Sequence, residues 1–205
     1  MGFLQSLFGP SRDEIWQQFA AGVGGDFVEG GFWKGSRVDA SHGQWMVTLD
    51  TYTVSNGKSS TTYTRIRAPY VNPDNFHFNI YRKGIFSDLG KWLGMQDVNV
   101  GYSQFDEDFI IKGNDESKLR RLFSNETIRA LIEAQPTIQF SVHDGESSFW
   151  SAQNWPTGVN ELYFQVVGVI KDVDRLKLLY DLFSETLDEL VRMGSASEQN
   201  PDVKL

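Results

Sequence analysis

Alternation of apolar and polar residues marks most of the chain, and a step of three or four residues replaces it near the C-terminal end. Trp45 to Val54 alternates in β-rich residues up to Asn56-Gly57, and Thr61 to Ala68 returns. Asn-Gly between two such runs predicts a hairpin with a tight type I′ turn. A two-residue loop would set Leu49 opposite Thr64, Val47 opposite Ile66 and Trp45 opposite Ala68 on one apolar face. The other face would pair Asp50 with Tyr63 and Thr48 with Arg65, and a one-residue slip would mix the two sets. Phe76, Phe78 and Ile80 alternate with His77, Asn79 and Tyr81, which predicts another half-buried strand. Phe109 to Ile111 reads as a strand opened by Asp106-Glu107-Asp108 and closed by Gly113. Ile138, Phe140 and Val142 read as a further strand, and the nearly unbroken apolar run from Leu162 to Ile170 as a central one.

Helices fall between and after these runs. Ser11 is placed to cap a short helix carrying Ile15, Trp16 and Phe19, with Asp13 and Glu14 at its positive end and Gly22, Gly24 and Gly25 beyond it. A short helix is expected over Ile85 to Leu93. Asn114 is read as the cap of a helix with Leu119, Leu122 and Phe123 inward, and Asn125 as the cap of one with Ile128, Leu131 and Ile132. From Asp172 the residues Val173, Leu176, Leu179, Phe183, Leu187, Leu190 and Val191 repeat at helical spacing over some twenty positions, about 30 Å of helix. Strands and helices without regular βαβ alternation predict an α+β fold: an antiparallel sheet packed by a long C-terminal amphipathic helix and shorter helices. Residues 1–12 form a short apolar N-terminal segment, 13–194 a single domain, and 195–205 a polar tail expected to be disordered.

Composition sharpens this picture in three ways. Aromatics are abundant, with 15 Phe, 7 Tyr and 6 Trp, which suits half-buried strands and a large core. There are no cysteines, so disulfide frameworks and thiolate chemistry are excluded and a cytoplasmic setting fits. The net charge of −8 falls entirely in the second half: residues 1–103 carry nine basic against nine acidic groups, and 104–205 carry ten against eighteen. That balance disfavours nucleic acid as a partner. No apolar run approaches the roughly 18 residues of a membrane span. Gly2 stands where an N-terminal acylation pattern would need it, with docking of the apolar segment as the plainer reading.

Candidate chemistry is sparse. His42, His77 and His143 show no metal-type spacing, and no Ser lies in a nucleophile elbow. His77 and His143 fall on polar alternate positions of strands, where they would converge if the strands are neighbours. Asp106, Glu107 and Asp108 could hold a hard cation, but a strand points neighbours to opposite faces, and a charged sheet edge explains them as well. No metal and no cofactor is implied. The glycines from Gly22 to Gly35, and Gly57-Lys58-Ser59, lack the spacing of a phosphate cradle. The best binding feature is basic: Arg65 and Arg67 share a strand face, Arg82-Lys83 follow the next predicted strand, and side-by-side strands would join them with Tyr63 and Tyr81 in one patch. Arg65, Arg67, Arg82 and Tyr81, with His77 and His143, make the candidate ligand-binding set, suited to carboxylate or phosphate. The competing reading pairs Arg65 with Asp50 as sheet decoration.

The segments Thr64-Arg65-Ile66-Arg67-Ala68-Pro69-Tyr70, Ile80-Tyr81-Arg82-Lys83-Gly84 and Phe105-Asp106-Glu107-Asp108-Phe109-Ile110-Ile111-Lys112-Gly113-Asn114 resemble a family of uncharacterised bacterial proteins over about residues 13–194. The resemblance implies a bacterial cytosolic origin and carries no activity. The expected function is therefore a non-enzymatic module binding a small molecule or a protein. The alternative is a hydrolase or isomerase of small anionic substrates, with Arg65 and Arg67 orienting them and His77 or His143 moving protons. A third possibility is self-association through Phe32, Trp33, Phe149, Trp150 and Trp155.

Overall fold

The computed structural model describes residues 9–31, 35–84, 96–144, 155–203 and 205. The expected helix over 85–93, most of the N-terminal segment with Gly2, and Phe32, Trp33, Phe149 and Trp150 lie outside the described residues. Eight strands form one antiparallel sheet: β1 (Asp26–Val28), β2 (Arg37–His42), β3 (Trp45–Ser55), β4 (Ser60–Val71), β5 (Phe78–Arg82), β6 (Phe109–Gly113), β7 (Gln139–Asp144) and β8 (Val159–Val167). Their spatial order is β1-β2-β3-β4-β8-β7-β5-β6. The apolar β8 is central, as its composition predicts, because both of its faces are covered enough to bury Val159 to Phe164. Five helices accompany the sheet among the described residues: α1 (Arg12–Val23), α2 (Ser103–Asp108), α3 (Glu116–Leu122), α4 (Glu126–Glu133) and α5 (Val173–Met193).

All five helices contribute to one core with a single face of the sheet. Leu49, Ile66, Phe164, Phe140, Ile80 and Ile111 supply the sheet side, and Trp16, Phe105, Leu122, Ile132 and Phe183 the helix side. Phe183 of α5 meets Phe140 edge-on at 5.4 Å between ring centroids. Ser11 and Asn125 cap the helices expected of them, and Asp172 caps α5. Ser11 and Glu14 form a reciprocal capping box, Asn125 accepts from Thr127 and Ile128 amides, and Asp172 accepts from Arg175 N. Gly194, at φ +76°, ends α5 in the left-handed conformation that glycine adopts without penalty.

Four local expectations are corrected. The β3–β4 register pairs Leu49 with Ile66 and Asp50 with Arg65, two residues away from the predicted one. The loop is longer than two residues because the Asn56 side chain accepts from Lys58 N, Ser59 N and Ser59 Oγ, closing a wider turn. A shift of two keeps each residue on its predicted face. Asp106 to Asp108 end a helix instead of opening a strand, and Asp106 turns back to accept from Val100, Gly101 and Tyr102 amides. Asp115, and not Asn114, caps α3; Asn114 bonds His77 N and the Asn75 carbonyl. The tail is tied down at its start: Ser195 is buried, its hydroxyl donates to Asp74 (2.8 Å), and Ser197 bridges to Val71.

Candidate functional site

The second face of the sheet carries none of the five described helices, yet its middle is withdrawn from solvent. Register places its side chains in rows that run across the strands. One row is Asp50, Arg65, Gln165, Gln139 and Tyr81, on β3, β4, β8, β7 and β5 in turn. The next is Thr48, Arg67, Tyr163, Ser141, Asn79 and Lys112. A third is Pro69, Glu161 and His143. Alternation along each strand sends these residues away from the core, and neighbouring strands about 4.8 Å apart bring them together.

At one side of this face lies a closed network. Arg65 donates to both oxygens of Asp50, from Nε (2.5 Å) and Nη2 (2.9 Å), and Arg67 Nη2 donates to Asp50 Oδ2 (2.8 Å). Burial pulls the Arg65 guanidinium down, but the Asp50 carboxylate outweighs it and holds the group above its ordinary value. The hydroxyls of Tyr52 and Tyr163 both donate to Gln165 Oε1 (2.6 and 2.9 Å), and Gln165 Nε2 donates to Gln139 Oε1 (2.7 Å). His143 stacks on Tyr163 at 4.4 Å between ring centroids.

Beside that network the polar capacity is unused. Asn79 is 1% exposed, and neither Nδ2 nor Oδ1 has a partner; Ser141 is 0% exposed, and its Oγ has none. Glu161 is 5% exposed, its Oε1 accepts no hydrogen bond, and the Arg67 Nη1 group is 3.8 Å away. Arg67 Nε is also unpartnered. Burial pushes the Glu161 carboxyl up to about 7, against the pull of Arg67 and Arg65. Other buried polar atoms without partners, such as Tyr70 Oη on the core side and Ser184 Oγ and Thr186 Oγ1 on α5, are spread over other elements. On this face, four residues of four consecutive strands carry them side by side.

The sequence-predicted set is divided by the strand order. Arg65, Arg67, Tyr81 and His143 share the helix-free face. Arg82 does not join them, because it alternates with Tyr81 and so falls on the helix-bearing face with Phe78 and Ile80; its Nη2 donates to the Glu133 and Gln135 carbonyls, and its guanidinium covers Phe109. His143 lies on β7, while His77 falls just before the neighbouring β5 and outside the strand expected to hold it, and their rings take different partners. His77 sits at the end of the sheet, with Nδ1 donating to the Asn75 carbonyl (2.8 Å), Nε2 against the Asp144 carboxylate, and the Asn160 amide 2.7 Å away. Asn79, Ser141 and Glu161 were not singled out from the sequence. Their signal was present as polar residues within apolar strands, at Asn79 before Ile80, Ser141 between Phe140 and Val142, and Glu161 before Leu162. Among the described residues, no group of three or more His, Asp or Glu side chains is placed to hold a metal ion, and no helix is long and apolar enough to cross a membrane. The chain matches no protein-family model, no curated protein and no solved structure.

Proposed function

We propose that this protein is a binding module for a small polar molecule, taken on the helix-free face at Asn79, Ser141, Glu161 and Arg67. The observation that carries the reading is the contiguous set of buried, unpartnered donors and acceptors on four neighbouring strands. A buried polar group without a partner costs about 1–3 kcal/mol, so several in one place are retained at a cost to stability. A ligand that supplies the missing partners recovers that cost as affinity.

Anion recognition by Arg65 and Arg67, expected from the sequence, loses its main support because both guanidinium groups are engaged by Asp50. A hydrolase or isomerase would ask for the histidine, its carboxylate and the arginines in one place. His77 and Asp144 meet at the sheet end, where Asp144 lies three register positions from the Arg67 row and on the opposite face, so the binding reading is favoured. The lack of cysteine and the resemblance of three segments to bacterial proteins support a bacterial cytosolic setting for the module.

Asn79→Leu and Ser141→Ala test the proposal together. Each removes unpaired polar atoms without breaking a hydrogen bond. Asn79→Leu is expected to raise the stability of the free protein by about 1–3 kcal/mol, or roughly 2–12 °C in Tm for a chain of this size. Both variants should lose the thermal shift that small polar metabolites produce in the wild type. A lowered Tm in both would mean that solvent already satisfies these atoms, and the site would fall.

A further inference from the structure

Resting on that reading, we infer that the ligand presents a flat carboxamide or lactam edge, the donor–acceptor pattern carried by nucleobases and nicotinamide-like rings. Asn79 leaves both ends of its side-chain amide unused. Those two ends lie in one plane roughly 2 Å apart, and both are satisfied at once by an acceptor and a donor side by side on a planar partner. This is the bidentate geometry by which asparagine reads an adenine edge. Ser141 stands directly across the ladder from Asn79, and Glu161 lies on the diagonal from Ser141. They add a hydroxyl and a carboxyl to the rim of the same edge, within the roughly 5 and 7–8 Å of direct and diagonal strand neighbours.

The flanks also suit a flat ligand. Tyr81 follows Asn79 by two residues and so shares its face, and Tyr163 faces Ser141 across the ladder. Both rings are buried, at 4% and 8% exposure, and offer apolar surface beside the polar atoms. The number of polar groups argues against a sugar. Among the described residues five atoms stand unpartnered on this face, a number that a planar amide ring can match. A hexose buried there would bring a hydroxyl on nearly every carbon and leave most of them unpaired, each at a desolvation cost.

The test is calorimetric titration of the full chain with uracil, hypoxanthine and nicotinamide, set against 3-acetylpyridine and glucose. Nicotinamide and 3-acetylpyridine differ in the amide N–H, which isolates the donor that Asn79 Oδ1 would accept. At least one planar amide is expected to bind, with affinity falling at least about tenfold in Asn79→Asp and in Asn79→Leu. If nicotinamide is the binder, 3-acetylpyridine should bind at least about tenfold more weakly. Binding of glucose, lost in Asn79→Leu and unmatched by any planar amide, would overturn the ligand class and leave the site standing. Absence of all binding would overturn the class too, and the Tm of Asn79→Leu then decides the site: raised, the site stands; lowered or unchanged, both readings fall. Equal binding of every planar amide to wild type and both variants would place the ligand elsewhere and overturn the inference.

Discussion

Replacing Glu161 by Gln keeps the shape of the side chain and removes its charge, so the pH dependence of stability becomes a direct measure of how the folded protein treats that carboxyl. Its value rises from 4.5 to about 7 on folding, with burial as the cause. An acid whose folded value is raised is held in its neutral form by folding. Between about pH 4.5 and 7 the folded chain therefore binds more protons than the unfolded chain, and stability falls as pH rises. Each pH unit between those two values corresponds to about 1.4 kcal/mol, so the loss amounts to about 3 kcal/mol across the window. Urea unfolding of wild type and Glu161→Gln at half-unit steps from pH 4 to 8.5 isolates this group, because the remaining carboxylates cancel in the difference. The two proteins should differ by a constant amount below pH 4.5, and the variant should gain steadily to pH 7 and level off above it. Parallel curves through the whole range would show that Arg67, 3.8 Å away, already compensates the carboxylate, and would refute the account of a buried, poorly satisfied acid.

Two further substitutions probe the frame around the site. Asp50→Ala leaves the Arg65 and Arg67 guanidinium groups, both largely buried, without their shared carboxylate; a loss of about 3 kcal/mol is expected in chemical denaturation, and a loss under 1 kcal/mol would show that solvent replaces the acid. Gly113→Ala would bring a Cβ to 2.7 Å from the His77 carbonyl and 2.9 Å from Leu119 Cδ1, where β5, β6 and α3 meet, and is expected to cost about 1–3 kcal/mol as a lowered Tm; an unchanged Tm would show that this junction yields.

The fold class was readable because it depends on short-range periodicity. The caps at Ser11, Asn125 and Asp172, the stripe of α5 and the alternation of β5 and β7 are each fixed by residues within about one helical turn or strand of one another. Errors arose where a side chain reached past its immediate neighbours. Asn56 widens a turn that Asn-Gly alone would close, and Asp106 draws three amides into a cap that its neighbours in sequence do not announce. The site depended on a longer-range fact, the strand order. Arg65 and Arg82 lie on successive strands of the chain, but Arg82 alternates with Tyr81 and falls on the helix-bearing face, and Arg65 falls on the other. Inserting β8 and β7 between β4 and β5 brought Glu161 and Ser141 into the gap beside Arg67 and Asn79. Pairing of strands so far apart in the chain leaves no local trace in either one.

The same insertion underlies the proposal that the face takes neutral groups in preference to charged ones. Two arginines on an otherwise acidic protein look like an anion site until the register is known. Once Asp50 is opposite Arg65 and diagonal to Arg67, a single carboxylate engages both guanidinium groups, and their remaining charge is met in part by Glu161. A phosphate or carboxylate ligand would then have to displace Asp50 from three hydrogen bonds, giving up much of what it gained. The atoms left without partners belong to an amide, a hydroxyl, a carboxyl whose proton is loosely held near neutrality, and the Nε of Arg67. A neutral ligand with its own donors and acceptors meets all of them without disturbing the ion pairs. On the proposed reading the Asp50 ion pairs serve as a wall, and recognition falls to Asn79, Ser141 and Glu161 beside it, with Arg67 Nε at the margin. If an anionic metabolite were found to bind with an affinity that depends on Arg67 and not on Asn79, the wall and the reading surface would have to be exchanged.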